Sequence, residues 1–229
     1  MSMEKFAFRV IAALVLIAAL IAAAYVARLL TVGGKTIYEL LGENKALHQA
    51  IANLTSESPI GRAQVLKKEV RDGVTYTTIR FAETDRDDPT RRVFQRDMEV
   101  RGDVVHFDAL VIRFNKEYVA DGRARALYLW RRVYSDEMRP EDGVPIEEIG
   151  EEPARYREIF KILEPSDREL FWQEIWSLAD DAERLRTAGV VAVHGKVVYT
   201  RLEKGIVYTL TITNTGDLNI DKTPILDAP

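Results

Sequence analysis

Ala63-Gln-Val-Leu-Lys-Lys-Glu-Val70-Arg-Asp72-Gly73-Val74-Thr-Tyr-Thr-Thr-Ile-Arg-Phe81 consists of two β-rich runs joined by Asp-Gly. That dipeptide tolerates the positive φ angles of a tight hairpin turn, so the stretch reads as two antiparallel strands. The scheme recurs downstream. Val93 to Val100, the Gly102-Asp103 turn and Val104 to Phe114 form a second expected pair, and Lys116 to Ala120, Asp121-Gly122 and Ala124 to Tyr134 a third. Near the end, Val197 to Leu202 and Ile206 to Thr213 are expected to pair through Glu203-Lys204-Gly205. Ile206, Tyr208, Leu210 and Ile212 alternate with Val207, Thr209, Thr211 and Thr213, the period of a strand with one buried face. Local antiparallel pairing is predicted throughout, without βαβ crossovers.

Two helices interrupt this pattern. Pro153 stands at a first-turn position before Tyr156, Ile159, Phe160 and Leu163. Ser166-Asp-Arg-Glu169 is a capping box, in which each end side chain satisfies the other residue's free backbone amide, and Phe171, Ile175, Leu178, Ala182 and Leu185 follow at helical spacing before Gly189. Asn214 to Asp217 turns the chain again, and the acidic, proline-containing tail is expected to be loosely ordered. The expected fold class is α+β: residues 60–229 form a mainly antiparallel β domain of about eight strands, a curved sheet or partly closed barrel, with two helices. Ser56-Glu-Ser-Pro-Ile-Gly61 is expected to break the chain ahead of it.

Upstream the composition changes. Val10 to Ala27 is an unbroken run of 18 apolar residues bounded by Arg9 and Arg28. At about 1.5 Å per residue a helix from Arg9 to Arg28 spans about 28 Å, close to the hydrocarbon core of about 30 Å. Both guanidinium groups can reach the interfaces, and Tyr25 lies where interfacial aromatics sit. Residues 10–30 are therefore expected to be a single transmembrane helix preceded by a short tail, 1–9. The competing reading, a signal peptide cleaved after Ala22-Ala23-Ala24, is weakened by the apolar character that continues through Leu29 and Leu30. A short basic N-terminus places that end in the cytoplasm and the domain outside it; the reversed topology is the alternative. The nine or so residues left inside are too few for an output domain.

Between anchor and domain, Ile37, Leu40, Asn44, Leu47, Ile51 and Leu54 are spaced 3, 4, 3, 4 and 3 apart. This is a heptad series with Ile, Asn and Ile at a and Leu at d, the pattern of a parallel two-stranded coiled coil over residues 36–55. Two anchored chains are already parallel and locally concentrated, which favours the homodimer over packing of this stripe on the chain's own domain.

Function classes narrow accordingly. Beyond residue 35 there are 28 basic and 35 acidic residues, so a nucleic-acid partner is not expected. Zero cysteines exclude disulfides, a thiolate zinc site and a cysteine nucleophile. His48, His106 and His194 stand in no nucleophile, zincin or phosphate-loop motif, so no catalytic residue, metal ligand or cofactor is assigned. Glu83-Thr-Asp85-Arg-Asp87-Asp88 has alternate carboxylates but lacks the calcium loop's sixth-position glycine and twelfth-position glutamate, and reads as a charged solvated loop. The best interaction candidate is Tyr128, Trp130, Arg132 and Tyr134, which strict strand alternation would place on one face.

The anchor followed by Leu40-Leu41-Gly-Glu43-Asn44-Lys-Ala-Leu47 and a β-rich domain resembles the layout of the cell-shape protein MreC. The zipper alone is similar to bitopic division proteins of the DivIC type. As a whole the chain resembles an uncharacterised family of bacterial single-pass membrane-anchored proteins. The layout resemblance implies an envelope scaffold, and the uncharacterised family implies no particular activity. With the anchor and heptads, the expectation is a non-enzymatic, dimerising inner-membrane protein whose partners are the bilayer, a second copy and an envelope protein. The rival expectation is a membrane-tethered enzyme or ligand-binding module built on convergent carboxylates.

Overall fold

A computed structural model of the chain describes residues 20–28, 41–148, 151–156, 172 and 190–225. The chain divides into two compact units, Met1–Gln49 and Ala50–Pro229. In the first unit the described residues 20–28 and 41–49 are helical. No helix among the described residues is long and apolar enough to cross a membrane; most of the expected transmembrane segment 10–30, residues 10–19 and 29–30, lies outside them, as do the heptad positions Ile37 and Leu40.

The second unit begins with residues 50–55, still helical, and continues into a mostly antiparallel β domain. Its strands are β1 (Glu57–Arg71), β2 (Val74–Thr84), β3 (Arg92–Arg101), β4 (Val104–Phe114), β5 (Leu127–Ser135), β6 (Val144–Pro145), β7 (Val190–Arg201), β8 (Ile206–Thr213) and β9 (Leu218–Pro224). They form two sheets, ordered β3-β2-β1-β8-β9 and β6-β5-β4-β7. The inner faces share one core in which Ile60, Ile79 and Leu210 of the first sheet meet Phe107, Val111 and Trp130 of the second. Phe81 is its centre, 5.2 Å from the Trp130 ring and 6.0 Å from Phe107. Each such side chain contributes roughly 1.5–3 kcal/mol by leaving water.

The first hairpin has the expected turn. Asp72 (φ 51°) and Gly73 (φ 79°) join β1 to β2, and Val74 faces Arg71 across the ladder. Other expectations are corrected by the sheets. Strands β3 and β4 do not pair; the chain turns a corner at Gly102 and passes from one sheet to the other. That corner is held from afar: Thr77 Oγ1 donates to the Gly102 carbonyl (2.7 Å), and the Ser135 hydroxyl donates to the Arg101 carbonyl. Gly102 has φ 97°, and a Cβ there would stand 3.0 Å from Ser135 Oγ, so both backbone and space require glycine.

The last expected pair separates in the same way. β7 adds to β4, whereas β8 lies between β1 and β9. The corner between them is pinned by Tyr208, whose hydroxyl accepts the Glu203 N–H at 2.8 Å and donates to the Arg201 carbonyl at 3.1 Å. Lys116–Ala120, expected as a strand, is a short helix with Val119 buried. The chain after Asp217, expected to be loose, is an ordered strand to Pro224, because Leu218 enters the core and the backbone pairs with β8. At Ser56 to Gly61 the helix gives way to the β domain as expected: the helix ends at Thr55, β1 starts at Glu57, and a register shift between Pro59 and Gly61 absorbs the proline within the strand. The result is two facing sheets that do not close, in place of one curved sheet or partly closed barrel. The expected helices of residues 153–189 lie outside the described residues, apart from the 3-10 turn Ala154–Tyr156 and helical Trp172.

Candidate functional site

Strand β5 carries the strongest sequence candidate, and its local geometry decides what can be presented. A register irregularity at β4 Asp108/Ala109 lets Arg132 face Asp108 while Trp130 faces Ala109, leaving Arg131 as the extra residue. A bulge of this kind reverses which face the following side chains occupy. Tyr128 and Trp130 are therefore in the core, whereas Arg132 and Tyr134 lie on the outer face of the second sheet. The expectation of one shared face is corrected. The signal for it was in the sequence: strict alternation through Arg131-Arg132 would bury one of the two charges.

On the outer face the Tyr134 ring stacks on His106 (4.8 Å, 9° between planes), and His106 stacks in turn on Tyr199 (5.0 Å, 22°). The three rings sit side by side on β5, β4 and β7 because the registers place His106 opposite both tyrosines. Burial holds the His106 pKa below its ordinary value despite the attraction of Asp136, so the imidazole is neutral at pH 7. Tyr199 is 66% exposed. It also borders a groove of about 400 Å³ lined by β7 residues Val197 to Thr200 and by Leu218, Ile220 and Lys222 of β9. A row of stacked rings on the outer face of a sheet offers flat apolar area to a partner.

Below this row, buried Asp108 accepts two hydrogen bonds from Arg131 (Nε 3.0 Å, Nη2 2.7 Å) and lies 3.6 Å from Arg132. The Arg131 guanidinium passes over Gly195, where a Cβ would stand only 2.6 Å from Nη2. Gly195→Ala is expected to displace this arginine and lower stability by about 1–2 kcal/mol. The check is thermal unfolding in a cycle with Arg131→Met: once Arg131 is absent, Gly195→Ala should have no further effect.

A second constellation escaped the sequence entirely. Glu83, Glu147 and Arg155 converge inside the domain: Arg155 Nη1 lies 3.0 Å from Glu83 Oε1 and also donates to Glu147, while Nη2 donates to the Tyr128 carbonyl at 2.5 Å. The guanidinium stacks over Tyr128 (4.4 Å) and Tyr156 (4.7 Å), and Tyr156 stacks on Trp172 at 5.6 Å. Burial pushes the Glu83 carboxyl up to about 7 against the pull of Arg155.

Two convergent carboxylates, one with a raised pKa, are what an acid–base site requires. Here Arg155 fills the space between them, and the Glu83 side chain is 0% and that of Arg155 6% exposed. The group has a different task. Beyond Arg132 and Val133, which pair with β6, the outer edge of β5 has no neighbouring strand among the described residues, and side chains take its place. The Tyr156 hydroxyl accepts the Tyr128 N–H (2.8 Å) and donates to its carbonyl (3.0 Å), while Glu147 accepts the Trp130 N–H (2.7 Å). Satisfying an edge strand in this way prevents its pairing with another chain.

The carboxylates of the 85–88 loop are likewise committed. Asp85 accepts the backbone N–H groups of Asp87 and Asp88 and binds Arg91; Asp87 forms a bidentate pair with Arg125 (2.5 and 2.6 Å). Arg86 anchors the loop to the Ala126 carbonyl and the Asn214 side chain, both at 2.7 Å.

Of the heptad positions, Leu47 and Ile51 are 59% and 48% exposed, Asn44 is exposed and Leu54 is half-buried. Residues 50–55 are tied to the β domain through Asn53, which donates to the Ala120 carbonyl (2.7 Å) and accepts from Asn214 (2.8 Å). Compared with known proteins, the chain matches no family, no curated protein and no solved structure.

Proposed function

We propose that this chain is a membrane-anchored, parallel homodimeric scaffold of the bacterial envelope that presents its two-sheet β domain outside the cytoplasm to an envelope protein. The observation that carries this reading is the exposure of Leu47 and Ile51, successive d and a residues of the heptad series, on the helix leading into the domain. Large apolar side chains left exposed at these positions lose water when the same stripe of a second, parallel helix packs against them. The Val10 to Ala27 run supplies the anchor and makes the two chains parallel. Arg132 and Tyr134, joined by His106 and Tyr199, supply the partner-facing surface. No enzymatic step belongs to this reading, and the buried Glu83–Arg155–Glu147 group counts against the carboxylate-based alternative.

Light scattering of the detergent-solubilised chain is expected to give a dimer, and a strict monomer at all concentrations would sink the proposal. Asn44→Leu is expected to replace the dimer by a mixture containing higher oligomers, because a buried a-position Asn specifies two strands at some expense of stability. Reporter fusions at the C-terminus test the orientation.

A further inference from the structure

The outer face of the first sheet carries a second, chemically different feature. In the ladder Ala82 of β2 faces Arg62 of β1 on one side and Gln95 of β3 on the other, and the adjacent rung places Arg80 opposite Gln64. The small Ala82 side chain is the floor of a hollow of about 460 Å³, walled by the loop after β2 and lined by Arg62, Gln64, Arg80, Thr84, Arg92 and Gln95 among others. This volume falls within the range of small-molecule sites.

The charge of the hollow opposes that of the chain. Three arginines line it and no carboxylate does, although acidic residues outnumber basic ones in the whole sequence by 36 to 32. Arg80 is held in a bidentate pair with Asp97 (both bonds 2.8 Å), so its charge is matched. Arg92 spends one nitrogen on Gln95 (2.7 Å) and has no ion pair, and Arg62 makes neither an ion pair nor a hydrogen bond among the described residues. The neighbouring acids are engaged within their own loop or by Arg125. Thr84 adds a second, independent observation: it is 6% exposed, and its hydroxyl has no hydrogen-bond partner. A buried hydroxyl without a partner is costly, and a ligand oxygen would satisfy it.

We infer that this hollow binds a phosphate group. Two guanidinium forks without carboxylate partners match the charge of a phosphomonoester at neutral pH, whose oxygens accept bidentate N–H donors. The glutamines and Thr84 can contribute further donors around the same group. The phosphate can belong to a soluble molecule or to a lipid headgroup, and the site chemistry is the same for both.

The test is an NMR titration of the arginine Nε–H groups of the full chain in zwitterionic nanodiscs, with inorganic phosphate as one probe and phosphatidic acid, a lipid phosphomonoester, substituted into the nanodisc as the other. Saturable shifts at Arg62, Arg80 and Arg92 are expected with at least one probe. Response to phosphate alone assigns a soluble ligand, and response to phosphatidic acid alone a headgroup. Arg62→Gln combined with Arg92→Gln is expected to weaken binding at least about tenfold through loss of two charge-assisted contacts. Both residues are exposed, so the fold is retained; unchanged circular dichroism checks this, and Arg139→Gln, outside the hollow, should bind as the unaltered chain does. No saturable shift with either probe, or equal binding by the double variant, overturns the inference. The phosphate arm does not depend on dimerisation or on the partner-facing surface, so its result is separable from theirs.

Discussion

Arg155→Met is expected to lower the unfolding free energy of the β domain by about 3–5 kcal/mol, the loss typical of removing one partner from a buried charge cluster. Two effects combine. Glu83 and Glu147 would face each other without the cation between them, and the Tyr128 carbonyl would lose its 2.5 Å donor. Methionine retains much of the apolar stem, so packing between the Tyr128 and Tyr156 rings changes least. Urea unfolding followed by tryptophan fluorescence measures the effect, since Trp130 lies in the same core. Adding Glu83→Gln and Glu147→Gln to Arg155→Met should recover part of the loss, because repulsion between two buried carboxylates is then removed. A loss below about 1 kcal/mol would mean that the group is no more than a surface-type ion pair.

The second large effect is a dependence on pH set by Glu83. Its carboxyl titrates near 7 in the folded domain and near 4.5 when exposed, burial being the principal cause. The folded state therefore holds a proton that the unfolded state has released. Stability from this group is complete below about 4.5, falls as pH rises through the window to about 7, and changes no further above it. The loss across the window is on the order of 3 kcal/mol. Asp85, Asp87 and Asp217 act in the opposite sense. Arg91 and loop N–H groups bind Asp85, while Arg125 and Lys196 hold Asp87 and Asp217, keeping all three below the usual carboxylate range so that their contribution is lost only in acid. Maximum stability is thus expected near pH 5. Glu83→Gln should flatten the profile between pH 4.5 and 7 in a series of urea midpoints. An unchanged slope in that variant would assign the dependence to another group.

The same residues show why this candidate site could not be read along the chain. Glu83 is 72 residues from Arg155, and nothing in the spacing of either predicts that they meet. Strand alternation put Arg132 and Tyr134 on one face with Tyr128 and Trp130, but the companions they have on the outer face, His106 and Tyr199, lie 28 and 65 positions from Tyr134 and are joined to it only by register. The hollow around Ala82 likewise depends on three strands placing a small side chain between long ones.

What the sequence determined by itself is local. Asp72-Gly73 specifies its turn through backbone freedom, alternation from Ile206 to Thr213 specifies a half-buried strand, and the apolar run and heptad spacing specify candidate anchor and seam. Sheet membership was decided only by tertiary structure. A glycine turn such as Gly102 permits either a hairpin or a corner, and the choice falls to Thr77 and Ser135, remote residues whose hydroxyls hold the corner. The faces of β5 were decided in the same way, by a bulge whose extra arginine finds its partner in Asp108 on the neighbouring strand. In each case the local free-energy differences are small, and burial and hydrogen bonding between distant segments outweigh them.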